Sequence, residues 1–169
     1  CLRLHSVHLD KSRFDDVKDV DRRLLAQSPF FTPEEKAKVA AFIDSAPEGD
    51  SPLHGDLQFS NAVMDADGNE FFIDLGDFAC GHPYFDLGMM EICCLHSDES
   101  FINETFHMDK DTSSAFWKFF VKGYFGEDAD IDSITRMLRP YAGLKTLIIE
   151  RNSGVAFPHF HTLLDDIFK

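Results

Sequence analysis

A chain of 169 residues with 44% apolar and 13% aromatic side chains can bury a sizeable core, in one domain or two, and is not a disordered composition. A formal net charge of −14 argues against nucleic-acid binding, which needs basic patches, and is compatible with a cationic substrate, metal ions or a plain solvated acidic surface. The cysteines Cys1, Cys80, Cys93 and Cys94 lack C-x-x-C spacing and read as free thiols in a reducing compartment; no apolar run reaches membrane-span length and no signal peptide is visible, so a cytoplasmic location is expected.

The chain begins at Cys1 rather than Met, and residues 1–9 read as the tail of a helix with no cap before it. A fragment or processed product is therefore expected. Asp15 to Gln27 carries Val17, Val20, Leu24 and Leu25 at helical spacing, and Ser28-Pro29 stops it. Thr32-Pro33-Glu34-Glu35 is a helix start, with Thr as cap, Pro at the first position and acids in the first turn. Val39, Phe42 and Ile43 give that helix a core stripe to about Ser45.

Pro47 to Pro52 is a loop, and Asn61 to Asp65 reads as a strand. Asp65-Ala66-Asp67-Gly68-Asn69 is a turn with Gly68 at positive φ, and Glu70 to Asp74 is the return strand. The turn is not a calcium loop, because the twelve-residue ligand pattern is missing. Tyr84 or Phe85 to Leu95 reads as a buried helix, and Ser97 to Asp111 is ambiguous. Ser113 or Ser114 is expected to cap a helix to about Phe125, ended by Gly126. Asp130 to Glu150 is one long helical pattern with a break or kink at Pro140, and His159 to Phe168 is a short terminal helix. The expected fold class is mainly α with a small antiparallel β hairpin, and the only convincing strands bracket an acidic site.

That site is Leu53-His54-Gly55-Asp56-Leu57-Gln58-Phe59-Ser60-Asn61, followed by Phe71-Phe72-Ile73-Asp74. An Asp on a tight loop can accept a proton from a substrate hydroxyl. An Asn five residues later offers a neutral oxygen ligand, and an Asp after the return strand a charged one. Magnesium takes oxygen ligands and keeps waters and substrate phosphates in its shell, so one carboxylate and one amide suit a metal shared with a nucleotide. The spacing His-x-Asp-x-x-x-x-Asn, with a later metal-binding Asp, is that of protein kinases. Gly55 in place of Arg points away from the eukaryotic protein kinases.

His54-Gly55-Asp56-Leu57 with Asn61, then Ile73-Asp74-x-x-Asp77, Gly81-x-Pro83, Asp86-Leu87 and Phe120-x-x-Gly123-Tyr124, resembles the aminoglycoside phosphotransferase and choline kinase superfamily. The resemblance covers residues 50–125 well and the flanking helices loosely. It implies the C-terminal lobe of a protein-kinase-like fold, as one domain over residues 1–169. It implies Mg2+ with ATP or GTP as cofactors, and a small-molecule hydroxyl acceptor that is aminoglycoside-like, choline-like or sugar-like. By the same resemblance Asp56 is the catalytic base, Asn61 and Asp74 are metal ligands, and His54 and Asp86 support the site structurally. Asp77 either lies on the acceptor side or forms a local salt bridge.

Glu91, Cys93, Cys94 and the Phe116 to Phe120 cluster are expected in the core, and His159 and His161 at packing or surface positions. The family's nucleotide-binding lobe, with its phosphate-covering loop and its Lys, is not visible before residue 50, where the first glycine is Gly49. The isolated chain is therefore expected to bind nucleotide weakly or not at all. Two other classes remain open: a non-catalytic kinase-like binding module or inactive fragment, and a metal-dependent phosphoesterase, although the latter usually needs more His and Asp ligands around two ions.

Overall fold

Four of the longer helices start at a side chain that accepts a backbone N–H bond: Asp16, Thr32, Asp109 and Asp130. A computed structural model describes residues 1–168. The first helix, α1 (Leu2–His5), is one turn long. Its apolar Leu2 and the following Val7 are exposed, and the side chain that goes inside is His5. Asp16 caps α2 (Val17–Gln27) by accepting from the Lys18 amide at 2.8 Å. Thr32 and Glu35 form a reciprocal capping box at the head of α3 (Pro33–Ser45), with Pro33 at the first position where no N–H is missed. Val39 and Ile43 of α3 are completely buried, each contributing about 1.5–3 kcal/mol by leaving water. Phe42 packs against the core only in part.

Two small sheets follow, where one was expected. Strand β1 (Ser51–Leu53) pairs antiparallel with β4 (Ala79–Gly81), Leu53 facing Ala79 and Ser51 facing Gly81. Three-residue strands containing Pro52 and Gly81 carry no alternation that marks them as strands in the sequence. The Cys80 amide also donates to Asp15 O at 2.8 Å, tying this sheet to the entry of α2. Strands β2 (Ala62–Met64) and β3 (Glu70–Phe72) form the expected hairpin, with Ala62 opposite Phe72. Its turn has Gly68 at φ 84°, and the Asp65 carboxylate accepts from the Asp67 and Asn69 amides and from Asn69 Nδ2.

Helix α4 (Tyr84–Glu91) runs on into a π-helical turn over Ile92–His96 that buries Cys93 and Cys94. Gly88 lets the backbone of the later helix at Tyr141 come close, since a Cβ there would lie 2.5 Å from the Tyr141 carbonyl carbon. The ambiguous stretch contains α5 (Glu99–Phe106). Helix α6 (Lys110–Phe125) starts earlier than expected, because Asp109 is the cap, accepting from the Thr112 amide at 2.7 Å. Ser113 lies inside the helix and donates to Cys94 O at 3.0 Å, locking α6 onto the π-helical turn. Trp117 is buried, but Phe116 and Phe119 face solvent, Phe119 being 76% exposed, so this cluster is core only in part.

The long helical pattern splits into α7 (Ile131–Leu144) and α8 (Thr146–Ser153). The break falls at Lys145 rather than at Pro140, which the helix carries in its interior. The C-terminal helix is also subdivided, into α9 (Pro158–His161), a 3-10 turn over Thr162–Leu164, and α10 (Asp165–Phe168). The architecture is thus mainly helical with small antiparallel β elements. The largest core cluster gathers Leu53 and Leu57 from the acidic loop together with Phe85, Trp117, Leu138 and Leu144, so the loop is built directly on the core.

Candidate active site

Asp86, in the first turn of α4, has no solvent exposure and collects donors from separate parts of the chain. The His54 amide donates to Oδ2 at 2.7 Å and the Gly55 amide to Oδ1 at 2.8 Å. His5, 81 residues away, meets Oδ2 through Nε2 at 3.0 Å, and its Nδ1 lies 2.8 Å from the Tyr124 hydroxyl. Burial pushes the Asp86 carboxyl up, yet the His5 hydrogen bond, the charge of Lys145 and the His54 amide hold it below the ordinary carboxylate range. A carboxylate at a helix start with this many donors fixes the two residues before Asp56.

Gly55 then turns the chain at φ 85°, and no other residue fits: a Cβ there would lie 2.1 Å from Asp77 O. Its carbonyl accepts from Lys145 Nζ at 3.1 Å. Asp56 follows, half-buried. Gln58 Nε2 donates to its Oδ2 at 2.9 Å, and Asn61 Nδ2 donates to the same Oδ2 at 3.2 Å and to the Asp56 carbonyl at 2.9 Å. Both side-chain donors therefore fall on one carboxylate oxygen, and Oδ1 receives neither. The charge of Asp56 also reaches Cys93, whose thiol is pushed up to about 12, mainly by burial and further by that charge.

Asn61 ends a 3-10 turn over Phe59–Asn61 and is buried. With its amino group spent on Asp56, the oxygen Oδ1 is the atom it has to offer a hard cation. The Asn61 carbonyl accepts from the Ile73 amide at 3.0 Å, which brings the residue before Asp74 alongside Asn61. Asp74 is exposed and sits at φ 59°. Asp tolerates the left-handed region better than most residues but still at a cost, and such outliers concentrate at functional sites. His54 is fully buried; Nε2 lies 2.9 Å from Ile73 O, Nδ1 has no partner, and the ring meets Phe72 edge-on. It ties the start of the acidic loop to the strand that delivers Asp74.

Asp77 is paired, though not locally: Arg151 of α8 donates to its Oδ1 at 2.9 Å from 74 residues away. Among the described residues no three His, Cys, Asp or Glu side chains converge as a metal cage. His161 packs flat on Phe31 and bonds Glu150 at 2.9 Å, while His159 is exposed. Sequence reasoning missed Gln58, His5, Lys145 and Arg151. Gln58 lies inside the motif and was open to reading. The other three act across 74 to 90 residues and leave no local trace.

An acidic, oxygen-lined loop on a mainly helical scaffold is the class of site that the geometry defines. A model of the phosphotransferase enzyme family matches residues 2–120, and the chain belongs to that family. The match begins within α1 and so takes in the helices before the acidic loop, which the motif resemblance covered only loosely. No curated protein and no solved structure matches the chain.

Proposed function

We propose that this chain carries the catalytic segment of a small-molecule kinase, which moves the γ-phosphoryl group of ATP or GTP to a hydroxyl of an aminoglycoside-like, choline-like or sugar-like acceptor. The observation that carries this reading is the bonded set of Asp56, Asn61 and the Ile73–Asp74 strand end. The Asn61 amide grips Asp56, and the Asn61 carbonyl accepts from Ile73, so one residue spaces the two acids.

In this reading Asp56 receives the acceptor hydroxyl proton as the oxygen attacks the γ-phosphorus, and the nucleoside diphosphate leaves. Gln58 and Asn61 hold one carboxylate oxygen, so the other is presented to the hydroxyl without a search through rotamers. Asn61 Oδ1 and the Asp74 carboxylate would hold Mg2+, whose role when bound is to neutralise phosphate charge. Two protein oxygens fall short of a closed cage, which fits an ion completed by nucleotide phosphates and water. His54 and Asp86 keep the loop in place, and Asp77 spans from the site to α8 through Arg151.

A nucleotide-binding lobe is a further part of the proposal, because the described residues before the acidic loop are mostly helical and form no glycine-rich strand pair. Titration calorimetry of the 169-residue chain with Mg-ATP is expected to show weak or no binding; micromolar affinity would overturn that part. The central test is a phosphate-donor assay of the protein against a panel of small hydroxyl compounds. Asp56→Ala is expected to abolish transfer, and transfer that survives the change removes Asp56 as the base.

A further inference from the structure

Lys145 is a buried cation with an unusual position. It stands at the break between α7 and α8, is 4% exposed, and sends Nζ to Gly55 O at 3.1 Å, 90 residues away. Taking an ammonium out of water is costly, and an apolar side chain would fill the same space more cheaply. The charges that face it are the two buried carboxylates Asp21 of α2 and Asp86 of α4, both of which feel its attraction. Asp21 keeps Oδ2 without a hydrogen-bond partner, so its acid is not held there by a tight pairing of its own.

The carbonyl that Lys145 holds belongs to the peptide joining Gly55 to Asp56. Asp86 fixes the preceding peptide through the Gly55 amide. Gly55 itself, with no side chain, leaves the next peptide plane free to rotate. That plane sets φ of Asp56 and hence the direction of its carboxylate. Resting on the functional reading above, we infer that Lys145 is a positioning residue for phosphoryl transfer: it locks the Gly55–Asp56 peptide plane and so aims the Asp56 carboxylate at the acceptor hydroxyl.

At the break itself Lys145 keeps helical backbone angles, its N–H donating to Ala142 O at 3.1 Å and its C=O accepting from the Ile149 amide at 3.1 Å, while its side chain reaches the loop.

The test combines amide hydrogen exchange with kinetics on the neutral, similarly sized variant Lys145→Met. Exchange at residues 54–57 is expected to speed up while α3 and α6 keep their protection. In the acceptor assay, run on protein that includes the nucleotide-binding lobe, kcat is expected to fall about 100-fold, as for a misaligned reacting group, with KM for nucleotide and acceptor unchanged. For Lys145→Ala, which keeps room for a ligand, added ethylamine is expected to restore both kcat and exchange protection. A general structural role predicts loss of protection throughout the chain and no rescue by amine, and either result overturns the inference. Wild-type exchange and kcat in Lys145→Met would overturn it too. The two readings fail separately: Asp56→Asn inactive with Lys145→Met fully active removes the role of Lys145 alone, whereas Asp56→Asn fully active removes the functional reading and this inference together.

Discussion

The two sides of the acidic loop are built in opposite ways. The side that leads into Asp56 is clamped from within the core: Asp86 and Lys145 close on His54 and Gly55, and His5, from a third segment, backs Asp86. The side that leads to Asp74 hangs from a two-stranded hairpin whose Val63, Met64, Phe71 and Ile73 are all exposed, and a hairpin of that size is marginal on its own. It is held by the Asp65 turn, by His54 at Ile73 and by Asn61 at Ile73. Rigidity is concentrated on the core side of the loop. The group proposed to take a proton stands on an over-determined base. Of the two groups proposed to share an ion with a nucleotide, Asn61 is buried against Asp56, and Asp74 alone stands on a part that can adjust.

Substitutions on the core side are expected to have the largest effect. Asp86→Ala removes the acceptor of two buried amides and of His5, and leaves Lys145 with one fewer counter-charge. A loss of about 3–5 kcal/mol is expected in urea unfolding, the range for breaking a buried charged pair. A loss under about 1 kcal/mol would show that the clamp is dispensable.

Asp21 offers an effect of opposite sign on the same side. Its carboxyl is raised from 3.8 to about 6 by burial, in spite of the attraction of Lys145. A group whose folded value is raised contributes its stability in full below the unfolded value and loses it as pH rises through the folded one. Above pH 6 the charged Asp21 therefore costs the fold up to about 3 kcal/mol relative to acid conditions. Asp21→Asn is expected to be more stable than wild type at pH 7, with the difference closing toward pH 4. Thermal unfolding across that window checks it; a difference independent of pH, or wild type the more stable at pH 7, would refute it.

The hairpin side should respond weakly in stability and strongly in activity. Asp74→Gly relieves the positive φ and is expected to stabilise by about 1 kcal/mol while abolishing phosphoryl transfer. Calorimetry and the acceptor assay together sharpen the comparison, since a stable variant that keeps full activity would leave Asp74 without a role. Smallest of all is the Asp77–Arg151 pair, which is partly exposed on both partners. Arg151→Ala is expected to change stability by no more than about 0.5 kcal/mol, in denaturant unfolding at moderate salt.

Much of this was readable along the chain. The capping box Thr32–Glu35, the Gly68 turn and the apolar stripe of α3 depend on residues within four or five positions of each other. The spacing of Asp56 to Asn61 is equally local, and its hydrogen bonds follow from a tight 3-10 turn. Where the reading slipped, a longer-range contact decided. Ser113 looked like a cap but is drawn inward to Cys94, so Asp109 takes the helix start. Pro140 looked like the break, but the helix continues through it and turns at Lys145, whose side chain is tied to the loop. The Phe116 to Phe120 cluster looked uniformly apolar, yet only the Trp117 side of α6 faces the core.

By itself, then, the sequence determined the acidic motif with its spacing, the hairpin that separates its two acids, and the mainly helical class, because these rest on interactions between near neighbours. Only the tertiary structure decided what holds the motif. The pairing of β1 with β4, the reach of His5 to Asp86, the partner of Asp77 and the placing of Lys145 beneath Gly55 join residues 26 or more positions apart. Such contacts leave no period in the chain, since they are fixed by the packing of whole elements and by the need of each buried polar group for a partner.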